Sequence, residues 1–135
     1  MTSFHLKIVT PDGLYYDGSA EQLTVRASTG EVGILARHTD YVAALGMGRA
    51  TVLIDGKPRH AACIGGMLSV RDGEVTLVPT TFEWAEEIDL PRAAASAERA
   101  KKTLQDGSAS DAELRLAEAR LKRALVRQSV GGSTG

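Results

Sequence analysis

A nucleophile with a base beside it is the first chemistry to look for, and the residues that could supply it are His38, His60 and Cys63. His60 and Cys63 are three positions apart in a run with strand character, which places them on opposite faces of a strand. A nucleophile needs its base within hydrogen-bond reach, and a closed zinc site needs a full tetrahedral ligand set. The spacing supports neither, so no catalytic or metal-ligating residue is assigned and Cys63 reads as an inert buried thiol. Gly65-Gly66 is not a phosphate-cradling loop, because no Gly-x-x-x-x-Gly-Lys-Ser/Thr or Gly-x-Gly-x-x-Gly pattern accompanies it at a strand-to-helix junction. It reads as a bulge or a tight link between hairpins.

Binding rather than catalysis is suggested by two other groups of residues. Gly30-Glu31-Val32-Gly33-Ile34-Leu35-Ala36-Arg37-His38 is the densest feature of the first half. It is either a loop whose two glycines supply unusual φ values ahead of a buried Ile-Leu pair, or a surface loop presenting Glu31, Arg37 and His38 to a partner. Near the C-terminus Arg120, Arg123 and Arg127 fall at i, i+3 and i+7, one stripe of a helix, while Arg115 and Lys122 form another. Such stripes are solvated faces or contact surfaces for acidic partners. Nucleic acid is disfavoured by a net charge of −1 and by an aromatic content of 4%.

These groups need elements to carry them. From Phe4 to Thr80 the apolar residues alternate with period two and are interrupted by Gly and Asp turns, as a sandwich or barrel requires. Asp55-Gly56 and Asp72-Gly73, each between β-rich runs, favour the positive φ values of type I′ hairpins. Pro79-Thr80-Thr81 is expected to close the β region. Asp89 then serves as an N-cap with Pro91 in the first turn, and Ala93, Ala97, Ala100 and Leu104 share one helical face, with Gly107 as the stop. Ser110 to Glu113 is a capping box that opens a second helix reaching about Gln128, with Leu114, Ala117, Leu121 and Leu125 on its face. The intervening loop is short enough for an antiparallel helical hairpin. The fold class is therefore α+β: a β-sandwich or barrel over residues 1–84, a helical hairpin over 85–128, and a disordered tail over 129–135.

Composition agrees with this division. The 135 residues are 43% apolar, enough for a real core, and 14 glycines beside 2 phenylalanines, 3 tyrosines and 1 tryptophan suit a turn-rich β fold. Residues 1–88 carry 7 Lys+Arg and 11 Asp+Glu, whereas residues 89–135 carry 9 and 6, so an acidic first module precedes a basic second one. A single cysteine excludes an internal disulfide. The opening Met1-Thr2-Ser3-Phe4-His5 lacks the order of a signal peptide and no apolar run could span a bilayer, so a cytoplasmic chain without direct membrane insertion is expected. On residues alone, a free-standing sandwich whose hairpin docks another partner stays open.

Taken in order, the features resemble one family across essentially the whole chain. Phe4 to Pro11 with Tyr16-Asp17-Gly18, then Gly30-Glu31-Val32-Gly33-Ile34-Leu35 with His38, then Ala85-Glu86-Glu87-Ile88-Asp89-x-x-Arg92-Ala93, are similar to the opening strand, distinctive loop and helical junction of epsilon subunits of bacterial-type F-type ATP synthases. The resemblance implies a ten-stranded sandwich followed by a two-helix hairpin, in a non-catalytic rotor subunit of the central stalk. It implies that the sandwich binds the gamma subunit and the c-ring, with Glu31, Arg37 and His38 among the contacts. It also implies that the hairpin can extend toward the alpha/beta catalytic head and oppose ATP hydrolysis, with Arg115, Arg120, Lys122, Arg123 and Arg127 facing an acidic segment of the beta subunit. No cofactor is required. ATP is implied as a regulatory ligand of the folded hairpin, drawing on Glu83, Ile88, Asp89, Arg92, Ala93 and Arg99 with Arg123 and Arg127. The implied location is peripheral, at the cytoplasmic face of the plasma membrane. Truncation after Thr81 or Glu87 is then expected to spare assembly and to raise ATP hydrolysis.

Overall fold

Alternation along each strand decides which side chains meet. In the computed structural model, which describes residues 2–132, ten strands form two five-stranded sheets. The first sheet contains β1 (Phe4–Thr10), β2 (Gly13–Ala20), β5 (Tyr41–Ala44), β8 (Met67–Arg71) and β9 (Glu74–Val78), in the order β2-β1-β9-β8-β5. The second contains β3 (Gln22–Ala27), β4 (Gly30–Leu35), β6 (Met47–Ile54), β7 (Lys57–Ile64) and β10 (Thr81–Trp84), in the order β10-β7-β6-β3-β4. All strand pairs are antiparallel except β1 with β9. Leu6, Ile8, Leu68 and Leu77 from one sheet interdigitate with Leu23, Val25, Ile34 and Val52 from the other, and all eight are fully buried. Both Asp-Gly turns have the expected geometry, with φ of 51° and 76° at Asp55-Gly56 and 50° and 80° at Asp72-Gly73.

Three connections cross between the sheets at one corner: Leu45-Gly46, Gly65-Gly66 and Pro79-Thr80. They are hydrogen-bonded to one another, Leu45 N–H donating to Gly66 O at 2.8 Å, Gly65 N–H to Gly46 O at 3.0 Å and Thr80 N–H to Gly65 O at 3.4 Å. Gly65-Gly66 is thus a sheet-to-sheet crossover, and its φ values of 67° and 96° are left-handed.

Several expectations are corrected. Pro79-Thr80-Thr81 does not end the β region, because Thr81–Trp84 pairs with β7 and buries Phe82 and Trp84 in the core. Gly30–Leu35 is a strand rather than a loop; only Gly30 of its two glycines has positive φ, and Ile34 is buried while Leu35 is exposed. Alternation explains the latter, since neighbouring residues of a strand face opposite sides.

On the outer face of the first sheet, His5 Nε2 lies 2.5 Å from Asp17 on β2 and its Nδ1 lies 2.5 Å from Glu74 on β9. A carboxylate beside each ring nitrogen favours the imidazolium, which donates from both. Bonds to Asp17 and then Glu74 raise the His5 pKa above its ordinary value. The folded pKa exceeds the unfolded one, so this cross-strand contribution is complete below the unfolded value near 6.5 and is lost as pH rises through the raised folded value. Imidazole chemical shifts should therefore titrate above 6.5, and Asp17→Asn with Glu74→Gln should move the midpoint down; a His5 midpoint at or below 6.5 in the parent chain would contradict the arrangement.

A 3-10 turn (Ala85–Glu87) leads into α1 (Leu90–Gln105) and α2 (Asp111–Gly131). Asp89 caps α1 by accepting from Arg92 N–H at 3.0 Å, and Ser110 with Glu113 closes the expected capping box. Gly107 is not the left-handed stop expected for α1. Asp106 follows the last turn instead, its carboxylate accepting from the Ser108 backbone and hydroxyl. The helices meet through small side chains, with Ala93, Ala97 and Ala100 buried on α1 and Ala117 and Ala124 on α2. Leu104 and Leu125, expected in the seam, are exposed. Alanine allows close approach but removes little apolar area from water, so the hairpin depends on what else it touches. α2 also runs past Gln128 to Gly131, so 129–131 are helical rather than tail; positions 133–135 of the expected tail lie outside the described residues.

Candidate functional site

The hairpin folds back on the second sheet so that α2 lies along β6 and β7, while α1 stands off from the sandwich. A cleft of about 500 Å³ is left between them, bounded by Glu83 and Phe82 on β10 and by Asp89, Arg92, Arg99 and Arg127 on the hairpin. It connects with a second cleft of about 440 Å³ between the helices, where Arg120 and Arg123 join Arg99 and Arg127. Each element has a simple reason for its contribution. β10 alternates Phe82 and Trp84 inward, which turns Glu83 outward. The Asp89 cap fixes the start of α1, and the helical repeat then sends Arg92 and Arg99 to one side.

Charge in the cleft is partly matched from within. Arg127 Nε donates to Glu83 Oε1 at 2.5 Å across the hairpin–sandwich boundary, and Asp89 is occupied by the Arg92 backbone N–H. Arg92 and Arg99 add guanidinium groups to the same wall. Planar guanidinium forks suit phosphate or carboxylate oxygens, and the cleft volume is in the range of sites for small organic ligands.

Of the residues expected around a nucleotide, Glu83, Asp89, Arg92, Ala93, Arg99 and Arg127 are brought together, and Arg123 lies in the adjoining cleft. Ile88 is not with them. Its side chain is buried on the other side of the junction with Ala62 and Val130, which accounts for its apolar character better than a ligand contact does. Five lining residues were missed: Asp12 and Tyr15 from the β1–β2 turn region, Thr81 and Phe82 on β10, and Ser96 on α1. Only the period of α1 pointed to Ser96. Asp12 and Tyr15 are about seventy positions from Glu83 and arrive only because the edge strands β2 and β10 of the two sheets pack together, Tyr15 edge-on to Phe82.

The basic stripes also separate. Arg123 and Arg127 are half-buried in the clefts and Arg120 lines one of them while remaining exposed, whereas Lys122 is exposed and pairs with Glu118 at 3.5 Å, and Arg115 is exposed. Glu31, Arg37 and His38 do not form one surface. Glu31 borders a shallow groove with Arg26 and Arg49 at one end of β4, Arg37 lines another with Glu21 and Leu35 beyond its other end, and His38 stacks edge-on against Tyr41 at 5.8 Å. Four strand positions, roughly 13 Å, separate Glu31 from Leu35 at the end of β4, and Arg37 lies in the turn beyond it.

His60 and Cys63 turn to opposite faces of β7. Thr51 Oγ1 lies 2.9 Å from His60 Nδ1, while Cys63 faces the core, where burial pushes its thiol up to about 12. A thiol so placed holds its proton at neutral pH and is a poor nucleophile. No helix among the described residues is long and apolar enough to cross a membrane.

The architecture agrees with what known proteins share with this chain. A family model described as the beta-sandwich domain of the ATP synthase delta/epsilon chain matches residues 3–85, and one described as its long alpha-helix domain matches residues 86–131. The ATP synthase epsilon chain of Ruminococcus albus is 40% identical over 131 residues, covering 96% of this chain and 97% of the relative. That of Bacillus velezensis is 41% identical over 133 residues, covering 98% and 100%. Among solved structures, a chain of the Euglena gracilis mitochondrial ATP synthase (OSCP/F1/c-ring, rotational state 1) superposes with a TM-score of 0.83 at 25% identity, covering 96% of this chain and 81% of that one. Family models spanning both modules, and relatives matched nearly end to end, leave one assignment: this chain belongs to the ATP synthase delta/epsilon family.

Proposed function

We propose that this chain is the epsilon subunit of an F-type ATP synthase, a non-catalytic central-stalk subunit that helps couple ion-driven rotation to ATP synthesis and restrains ATP hydrolysis through its hairpin. The observation that carries the regulatory half is the hairpin's attachment: a helix pair with a thin alanine seam, docked on a sandwich that closes its own core without it. Such a module can leave its seat without unfolding the part that holds the complex together. The sandwich meets the gamma subunit and the c-ring, with Glu31 at one end of β4 and Arg37 and His38 beyond the other serving separate contacts. When extended, the hairpin reaches the alpha/beta head. Arg123 and Arg127 are half-buried in the clefts of the folded hairpin, so their contact with an acidic segment of the beta subunit requires the hairpin to open, whereas Arg115, Arg120 and Lys122 are exposed already. The location that follows is peripheral, at the cytoplasmic face of the plasma membrane. Removing the chain beyond Glu87 should raise ATP hydrolysis by the assembled complex; an unchanged rate would mean that this hairpin does not inhibit.

A second reading concerns the cleft itself. Its arginines and its span across sandwich, α1 and α2 favour ATP as a ligand that holds the hairpin folded, because a ligand bridging both modules binds one conformer preferentially. Calorimetric titration of the full chain with ATP should release heat, and Arg92→Ala should weaken binding at least tenfold, in keeping with loss of a charge-assisted contact of about 1.5–3 kcal/mol. No heat at millimolar ATP would remove the ligand.

A further inference from the structure

The last turn of α2 does something that neither the cleft nor the helix seam does. Val130 is 1% exposed, the most deeply buried aliphatic side chain larger than alanine in the hairpin. It sits on the outer side of the second sheet with Ala62 of β7 and Ile88 of the junction, forming an apolar cluster separate from the sandwich core. Gly131 lies so close to the start of α1 that an added Cβ would fall 2.8 Å from Leu90 Cδ2 and 3.0 Å from Ile88 Cγ2. Between these two residues the end of α2 is closed onto both the sandwich and the β10–α1 junction.

Electrostatics favours the same seat. A helix C-terminus carries unpaired carbonyls and partial negative charge, and a basic residue in the last turn usually answers it. α2 has no basic residue there. Arg49 supplies the cation from β6, its Nη2 donating to Ser129 O at 3.3 Å. The sandwich thus caps a helix of the other module, and the cap exists only while the hairpin is folded.

We infer that Ser129-Val130-Gly131 is a C-terminal clasp that holds the hairpin on the sandwich, with Arg49, Ala62 and Ile88 as its receptor. The clasp rests on the proposed reading that the hairpin has a folded and an open position. It makes the folded position intrinsic to the chain, without requiring a ligand in the cleft. Losing the burial of Val130 releases the end of α2 while the capping box at its start stays intact.

Spin labels at Lys57→Cys on β7 and Ala112→Cys on α2, both exposed positions, report the hairpin in the full-length chain, and the buried Cys63 takes no label. Without ATP the parent should give one narrow distance distribution. Val130→Asp should abolish it in favour of a broad, longer one while circular dichroism keeps the β signal of the sandwich, and a chain ending at Gln128 should do the same without introducing a charge. A narrow distribution that persists in both variants overturns the clasp, whatever the enzyme complex does. If the distribution broadens but the complex carrying Val130→Asp hydrolyses ATP at the parental rate, the clasp stands and inhibition by the open hairpin fails.

Discussion

Replacing Gly66 with alanine is expected to cost more than about 4 kcal/mol, at the extreme end of single-residue effects. Two independent penalties combine. The φ of 96° is one that side chains rarely adopt, and an added Cβ would lie 2.0 Å from Val78 O and 2.5 Å from Pro79 Cα. Those atoms are backbone of the neighbouring crossover, so no rotamer change can make room. Moving them would disturb the Leu45–Gly66 and Gly65–Thr80 hydrogen bonds that hold the crossovers together. Domains of this size are stable by only about 5–15 kcal/mol, so Gly66→Ala should be unfolded or marginal at 25 °C. Gly73→Ala is the control: its φ is 80° but nothing lies within 4 Å of the new Cβ, so it bears the backbone strain alone. Urea denaturation of both variants decides; a Gly66→Ala midpoint close to that of Gly73→Ala would show that the corner relaxes.

The second large effect separates two truncations that look alike in the sequence. Ending the chain after Thr81 removes Phe82 and Trp84, which are 2% and 3% exposed. Phe82 stands edge-on to Tyr15 and Trp84 at 5.5 and 4.9 Å, and Arg59 lies 3.7 Å over the Trp84 ring while bonding to Glu86. Each buried aromatic lost from a core costs about 3–5 kcal/mol, so this truncation should leave no cooperative thermal transition and no assembly. Ending after Glu87 keeps β10 and the 3-10 turn and uncovers Ala62 as its main apolar loss. That chain should melt cooperatively within a few degrees of the parent, join the complex and raise its hydrolysis rate. The expectation that an endpoint at Thr81 spares the sandwich is therefore corrected, and Glu87 is the endpoint to test. A folded, assembling chain ending at Thr81 would mean that β10 is dispensable.

Legibility followed the range of the interactions. Period-two alternation, the Asp-Gly turns, the Asp89 cap and the Ser110 to Glu113 box were all readable because each is decided by residues within a few positions of one another. Where the reading failed, a long-range contact had overridden the local signal. Pro79 looked like an end of β structure, yet β7 offers an unpaired edge and the core accepts Phe82 and Trp84. Ser129 to Gly131 looked like the start of a glycine-rich tail, yet Ala62, Ile88 and Arg49 give it a seat. Leu125 looked like seam and is exposed, because close alanine packing rotates α2 so that Ala117 and Ala124 face α1.

The candidate site divides in the same way. Local spacing placed Asp89, Arg92 and Arg99 on one helix and Arg120, Arg123 and Arg127 on another, since the helical repeat acts over a few residues. Sequence by itself thus determined the two modules and their charges. Only the tertiary structure decided that Arg127 meets Glu83, that Asp12 and Tyr15 reach the same cleft, that Ile88 turns away from it, and that the last turn of α2 closes on β6 and β7. The reason is physical: each of those contacts joins residues tens of positions apart, and sheet order and helix docking, which bring them together, are set by burial of the whole core and not by any local pattern.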